Sequence, residues 1–276
     1  MSRFGAISAI GLVVRSSFGN LGAALRMSWP WMVLLMLMQG GLMVMFPALP
    51  TGVITGMEPW AGQSPDVMAV LFFTIPANMI AYASIAVNWH RYLALAVEAE
   101  GREKLRLDWP VWSYLGNAFL AQAICVVILA ALLIAGMLGV ALLAVFRPDE
   151  QVETAAILAA MAASVWALPA MLRVFVKLPA VAIERDDYSF VHAWRDSRGR
   201  SLRLFGFLVM LFSFMLFLAL ASVAPMIALS EALGSESLSG RLAAAFGQFA
   251  INWWLLLVAV TALTTLYAVF AEGRKL

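Results

Sequence analysis

The residues able to do chemistry in this chain are few. His90 and His192 are its two histidines, and Glu184, Asp186 and Asp187 cluster eight to five positions before the second. Converging carboxylates and imidazoles would make a metal or hydrolytic centre, but ligands for zinc need a short, regular spacing that is not present here. Histidines at a membrane interface, beside Trp89 and Trp194, are the simpler account. Met32, Met36 and Met43 fall on one helical face and Met38 and Met45 on another, and thioethers are ligands for Cu(I). Without Cys or His nearby, gap filling in an apolar core is the better account of them. Cys125 is the only cysteine and lies in an apolar run, so neither a disulfide framework nor a cysteine metal site is expected. Phosphate-loop, HExxH and GxSxG patterns are missing from the sequence. We therefore expect no catalytic residues, no metal, no cofactor and no nucleic-acid partner.

Two other sets of polar residues have functional reach. Gln39, Asn78, Gln122, Gln248 and Asn252 sit inside apolar stretches, where such side chains either tie helices together or line a path for a solute. Arg15, Arg26, Arg185, Arg195, Arg198, Arg200 and Arg203 fall next to apolar stretches, where cations attract anionic lipid headgroups at about 1 kcal/mol each.

The elements that carry these residues follow from composition. The chain has 276 residues, 63% of them hydrophobic and 12% charged, with a mean hydropathy of +0.91. Soluble domains average roughly 45–50% apolar, so this is a membrane chain. Uncharged runs predict six membrane-spanning helices, at about 28–46, 67–89, 115–146, 154–178, 204–229 and 242–270. Ser28 is expected to cap the first, with Pro30 in its first turn, and Pro76 to kink the second. Residues 47–65, with four prolines, and the turn at 147–150 connect spans on one side. Together these elements form one all-α domain, 1–276.

Two further helices are expected to lie in the interface. In residues 2–25, Phe4, Ile7, Ile10, Val14, Phe18, Leu21 and Leu25 recur at three- or four-residue steps, with a break available at Gly19-Asn20. Residues 189–198 are the second. Asp187 or Ser189 can cap it, Gly199 can end it, and Phe190, Val191 and Trp194 share a face that should be buried, with His192, Arg195 and Asp196 outward. A signal peptide is not expected.

Sixteen of the 18 Lys and Arg fall on the side of the termini, and only Arg147 and Arg241 fall on the other. The positive-inside rule then places both termini in the cytoplasm of a bacterial inner membrane. Arg173 and Lys177, near the end of the fourth span, should snorkel towards water. Ala131, Ala135 and Gly139 in the third span, and Ala159, Ala163 and Ala167 in the fourth, suit close helix packing. Arg15-Ser-Ser-Phe-Gly is echoed by Arg195-Asp-Ser-Arg-Gly, each ahead of a span.

Pro179, Glu184, Ala193, Arg195, Ser197 and Gly199 mark the stretch 178–206. That stretch resembles the shared core of a broad group of bacterial multi-span proteins related to the membrane domain of glycerophosphodiester phosphodiesterases. The resemblance implies a six-span membrane fold with an amphipathic start. It does not imply hydrolysis, because no phosphodiesterase domain accompanies these residues. The expected role is that of a non-catalytic membrane component that organises lipid or supports assembly of other membrane proteins. The alternative is a transporter or channel for a small or lipid-like solute.

Overall fold

The computed structural model describes residues 5–46, 65–146, 152–235 and 237–274. The expected connections at 47–64 and 147–150, and Phe4, lie outside them. The described chain is helical throughout, in the order α1 (Ala6–Gly19), α2 (Leu21–Met45), α3 (Pro65–Leu95), a 3₁₀ turn (Gly101–Leu105), α4 (Trp109–Phe146), α5 (Val152–Phe175), α6 (Lys177–Ala182), α7 (Phe190–Asp196), α8 (Ser201–Ala232) and α9 (Leu238–Phe270). Six of these segments are long and apolar enough to cross a bilayer: this is an all-α, multi-pass membrane protein. The helices outrun the predicted spans. At about 1.5 Å per residue, the 38 residues of α4 reach about 57 Å, well beyond a hydrocarbon core of about 30 Å.

The last helix is the axis of the bundle. Of its most apolar stretch, 67% is buried, against 11% for α4, and α9 touches α1, α2, α3, α6 and α8. It packs most extensively against α8, and three indole hydrogen bonds close α2, α3 and α9 into a ring. Trp31 on α2 donates to Ser84 on α3, Trp89 on α3 to Thr261 on α9, and Trp253 on α9 to Ser28 on α2, each at 2.8 Å. A buried indole N–H needs an acceptor, and in an apolar bundle only a hydroxyl on a neighbouring helix supplies one. Ser28 is thus an interior residue and not a cap: α2 begins at Leu21, and the hydroxyl also donates to the carbonyl of Ala24. Pro30 is correspondingly interior, and α3 continues through Pro76.

The amino-terminal interfacial helix is shorter than predicted and differently oriented. It stops at Asn20, whose side chain accepts from Tyr92 Oη at 3.0 Å and donates to the carbonyl of Ser16 at 2.9 Å. Leu21 and Leu25 belong to the first spanning helix. The packed face of α1 carries Ala9, Val13 and Ser17 against α8 and α9, while Ile7 and Phe18 stay open. Small residues win that face because they let the backbones approach closely.

The Arg-x-Ser-x-Gly echo coincides with matched geometry. Ser17 and Ser197 are both buried, and the residues that start the following spans, Asn20 and Arg200, have φ/ψ of −116°/20° and −115°/17°.

The fourth span ends at Phe175, three residues early, and continues as α6 after a break at Val176. Pro179 lacks the N–H that would bond the carbonyl of Phe175, which weakens the helix at this break. On α4, Ala131, Ala135 and Gly139 face outward. The contact with α5 runs through Gly136 against Ala159, and Ala163 and Ala167 are buried.

Candidate functional site

The candidate arginines, carboxylates and histidines lie towards the face that holds both described chain ends, the basic face. Here α6 ends in a Schellman arrangement, with Arg185 N–H on the carbonyl of Ala180 at 2.8 Å and Glu184 N–H on that of Val181 at 3.1 Å. The residue that must adopt the left-handed conformation is Glu184, with φ +59°. Its carboxylate accepts from Arg91 Nη1 at 2.6 Å, joining α6 to α3. Asp187 pairs with Arg185 at 2.8 Å. The guanidinium holds the Asp187 carboxyl below its usual range, first through the hydrogen bond. Glu184, Asp187 and His192 therefore have separate partners and do not converge. Among the described residues, no group of three His, Cys, Asp or Glu could hold a metal.

The short helix α7 forms where predicted. Ser189 Oγ accepts from the His192 N–H at 3.3 Å, and the Ser189 N–H donates to His192 Nδ1 at 3.2 Å, a reciprocal cap. Gly199 follows with φ +76°. Within the protein the expected apolar face is split: Phe190 packs against the cluster of Ala121, Cys125 and Val174. Ala193 and Ser197 are buried, Val191 is 73% and Trp194 41% exposed, and His192 turns back to the cap. This helix of 7 residues buries its small side chains most deeply, while Val191 is left most open.

Two cations of the fourth span meet this helix rung by rung. Arg173 lies over Trp194 with 5.1 Å to the ring centroid, and Lys177 over Phe190 at 4.4 Å. The i, i+4 spacing on both sides makes the ladder. Arg173 does not snorkel: it is 8% exposed and donates from Nη2 to Ser201 Oγ at 2.6 Å.

His90 corrects the interfacial reading. It is fully buried beside the buried Trp89, with Nδ1 2.7 Å from Thr264 Oγ1 and Nε2 3.3 Å from Tyr114 Oη. Thr264, with Thr261, Thr265, Ser16 and the Glu272–Arg274 pair, lines a polar pocket of about 210 Å³ at the basic face. Sequence reading missed these threonines, although their spacing along α9 was visible.

Of the seven arginines proposed for headgroups, Arg26 makes a two-point contact with Glu98 at 2.8 and 3.2 Å, and Arg185 is paired as above. Arg195 lies 3.7 Å from Asp196, and Arg200 stacks on Phe270 at 5.1 Å. Arg15, Arg198 and Arg203 are exposed.

The five intramembrane amides are only partly assembled. Gln39 is buried on α2, Asn78 is half-buried on α3, and Gln248 donates to Asn252 on α9 at 3.2 Å. Gln122 is exposed on α4, away from them. Gln39 Oε1 and Asn78 Oδ1 have no hydrogen-bond partner among the described residues. Met43 is buried against Val70 and Ala245, while Met32 and Met36 line a shallow apolar site with Phe246.

A groove of about 630 Å³ lies between α2, α8 and α9, with a predominantly apolar lining. Phe18 closes its end at the basic face, edge-on to Trp254 at 4.9 Å. Met32, Met226, Gly247 and Ala250 form its walls, with Ser222 among the few polar groups.

Comparison with protein-family models, with curated proteins and with solved structures finds no match for this chain.

Proposed function

We propose that this integral membrane protein is a non-catalytic lipid-binding component of a bacterial inner membrane, acting as an accessory or assembly subunit with its basic face and both termini in the cytoplasm. The observation that carries the reading is the groove between α2, α8 and α9. It is apolar, of a volume usual for small-molecule sites, and bounded by three spanning helices. An acyl chain fits that chemistry. The exposed Arg15 lies one turn of α1 before Phe18, at the end where a headgroup would sit. The resemblance of 178–206 to phosphodiesterase membrane domains is consistent with a lipid setting. Purification in mild detergent with lipid identification tests it. Retained phospholipid that falls when Ala250→Phe fills the groove is expected; equal retention by the variant refutes the assignment. A reporter fused after Arg274 and active outside the cytoplasm would refute the orientation.

A solute path is the second reading, favoured by the buried oxygens of Gln39 and Asn78, which have no hydrogen-bond partner among the described residues. Flux into proteoliposomes, abolished by Asn78→Ala and Asn252→Ala, would establish it in place of the first.

A further inference from the structure

The amino terminus of α8 is built for an anion that the chain itself does not supply. This helix has 32 residues, begins at Ser201 after Arg200, carries no acidic residue in its first turn and has no side-chain cap. Its leading N–H groups therefore lack intrahelical acceptors and sit at the positive end of the helix dipole. Such an end ordinarily attracts a carboxylate. Here it attracts Arg173 instead, whose Nη2 reaches Ser201 Oγ at 2.6 Å.

That arrangement is electrostatically incomplete. Arg173 is 92% buried by its 8% exposure, and its Nε has no hydrogen-bond partner among the described residues. The ion pairs found among the described residues use Arg26, Arg91, Arg106, Arg185, Arg195 and Arg274, and Arg173 is in none of them. A buried guanidinium facing a helix N-terminus gathers positive charge where desolvation makes it costly. Trp194 covers one side of the guanidinium and offers its π face, not a counter-charge.

We propose that Arg173, the Ser201 hydroxyl and the first N–H groups of α8 form a binding site for a phosphate oxyanion. Helix N-termini and guanidinium groups are the two commonest partners of phosphate, and the site lies where the fourth span leaves the membrane and the fifth enters it. A phospholipid headgroup and free phosphate share that chemistry. The lipid source rests on the lipid-binding reading; the anion site stands on its own residues and lies apart from the groove.

The test uses the full chain in neutral detergent, titrated separately with phosphatidylglycerol, phosphatidylcholine and inorganic phosphate, read by native mass spectrometry and thermal shift. Wild type is expected to bind one phosphatidylglycerol more tightly than the rest. Arg173→Gln should weaken that event about tenfold or more, and Ser201→Ala about threefold. Arg274→Gln, on the same face but paired with Glu272, should match wild type. Competition by inorganic phosphate, with no phosphatidylglycerol preference, supports the site and assigns it to the free anion, removing support from the lipid source only. Should Arg173→Gln fail to fold, Ser201→Ala and Arg173→Lys decide. Wild-type affinity for both anions in whichever variants fold overturns the proposal. If Ala250→Phe still lowers retained lipid in that case, the groove survives; if it does not, the lipid reading fails as well.

Discussion

Trp253 donates its indole N–H to Ser28 at 2.8 Å, joining residues 225 positions apart and closing the ring that ties α9, α2 and α3 together. Ser28→Ala would strand that N–H in an apolar interior, at a cost of about 1–2 kcal/mol. The double variant Ser28→Ala with Trp253→Phe should lose less than the sum of the single variants. Interhelical hydrogen bonds in membrane proteins couple by about 0.6 kcal/mol, up to about 1.7. A double-mutant cycle on thermal stability in detergent measures the coupling, and strict additivity would remove the bond from any account of the bundle.

The two histidines should respond unequally. His90→Ala empties the space of an imidazole and removes a hydrogen bond from Tyr114 and one from Thr264, which keeps its bond to the Val260 carbonyl, so a loss of about 2–4 kcal/mol is expected. His192→Ala removes half of a reciprocal cap on an exposed 7-residue helix, worth about 0.5–1 kcal/mol. Size-exclusion profiles after stepwise heating will rank them, and the reverse order would mean that His192 serves a site beyond α7.

Acid should loosen the basic face. Arg26 holds the Glu98 carboxyl below its ordinary value of 4.5, and Arg185 holds Asp187 below 3.8, in both cases chiefly by hydrogen bonding. A carboxyl whose folded pKa is depressed contributes stability that is complete above the unfolded value and lost as the pH falls through the folded one. The thermal midpoint should thus hold steady near neutrality and fall below about pH 4.5. Both carboxylates are solvent-exposed, so the drop should be small and further reduced by salt. Glu98→Gln together with Asp187→Asn should flatten this part of the profile.

Gly240 is the glycine least replaceable by alanine. A Cβ there would overlap the carbonyl of Gly234, a backbone atom in the turn between α8 and α9. The turn is already held by Ser237, whose Oγ donates to that carbonyl at 2.6 Å and accepts from the Gly240 N–H at 3.1 Å. Gly240→Ala should cost about 1–3 kcal/mol through enforced backbone movement, whereas Gly139→Ala, on the open face of α4, should be silent. Comparing folded yields of the two variants checks this.

Much of the fold was legible in the sequence, for a direct reason. A run of apolar residues long enough to cross a bilayer has no alternative to a helix there, since each backbone polar group must be satisfied within the segment. Local punctuation was equally readable. Asn20 breaks α1 from α2, Ser189 caps α7 and Gly199 ends it, because these depend on neighbours within a few positions.

The sequence did not reveal which face of each helix turns inward. In a soluble helix, polar residues mark the outside, but here both sides are apolar and periodicity loses its contrast. Ala193 is buried more deeply than Trp194, and Gly136 rather than Gly139 meets α5, because close approach of backbones, not hydrophobicity, selected the contact. The candidate site divides in the same way. The amide side chains and the arginines were visible by type, but the tertiary structure separated Gln122 from the other amides and buried His90 between Thr264 and Tyr114. It also set Arg173 at the head of α8. What the sequence by itself determined was a basic-faced, six-span helical protein; which polar groups became partners was decided only in three dimensions, where a buried donor takes whatever acceptor the adjacent helix presents.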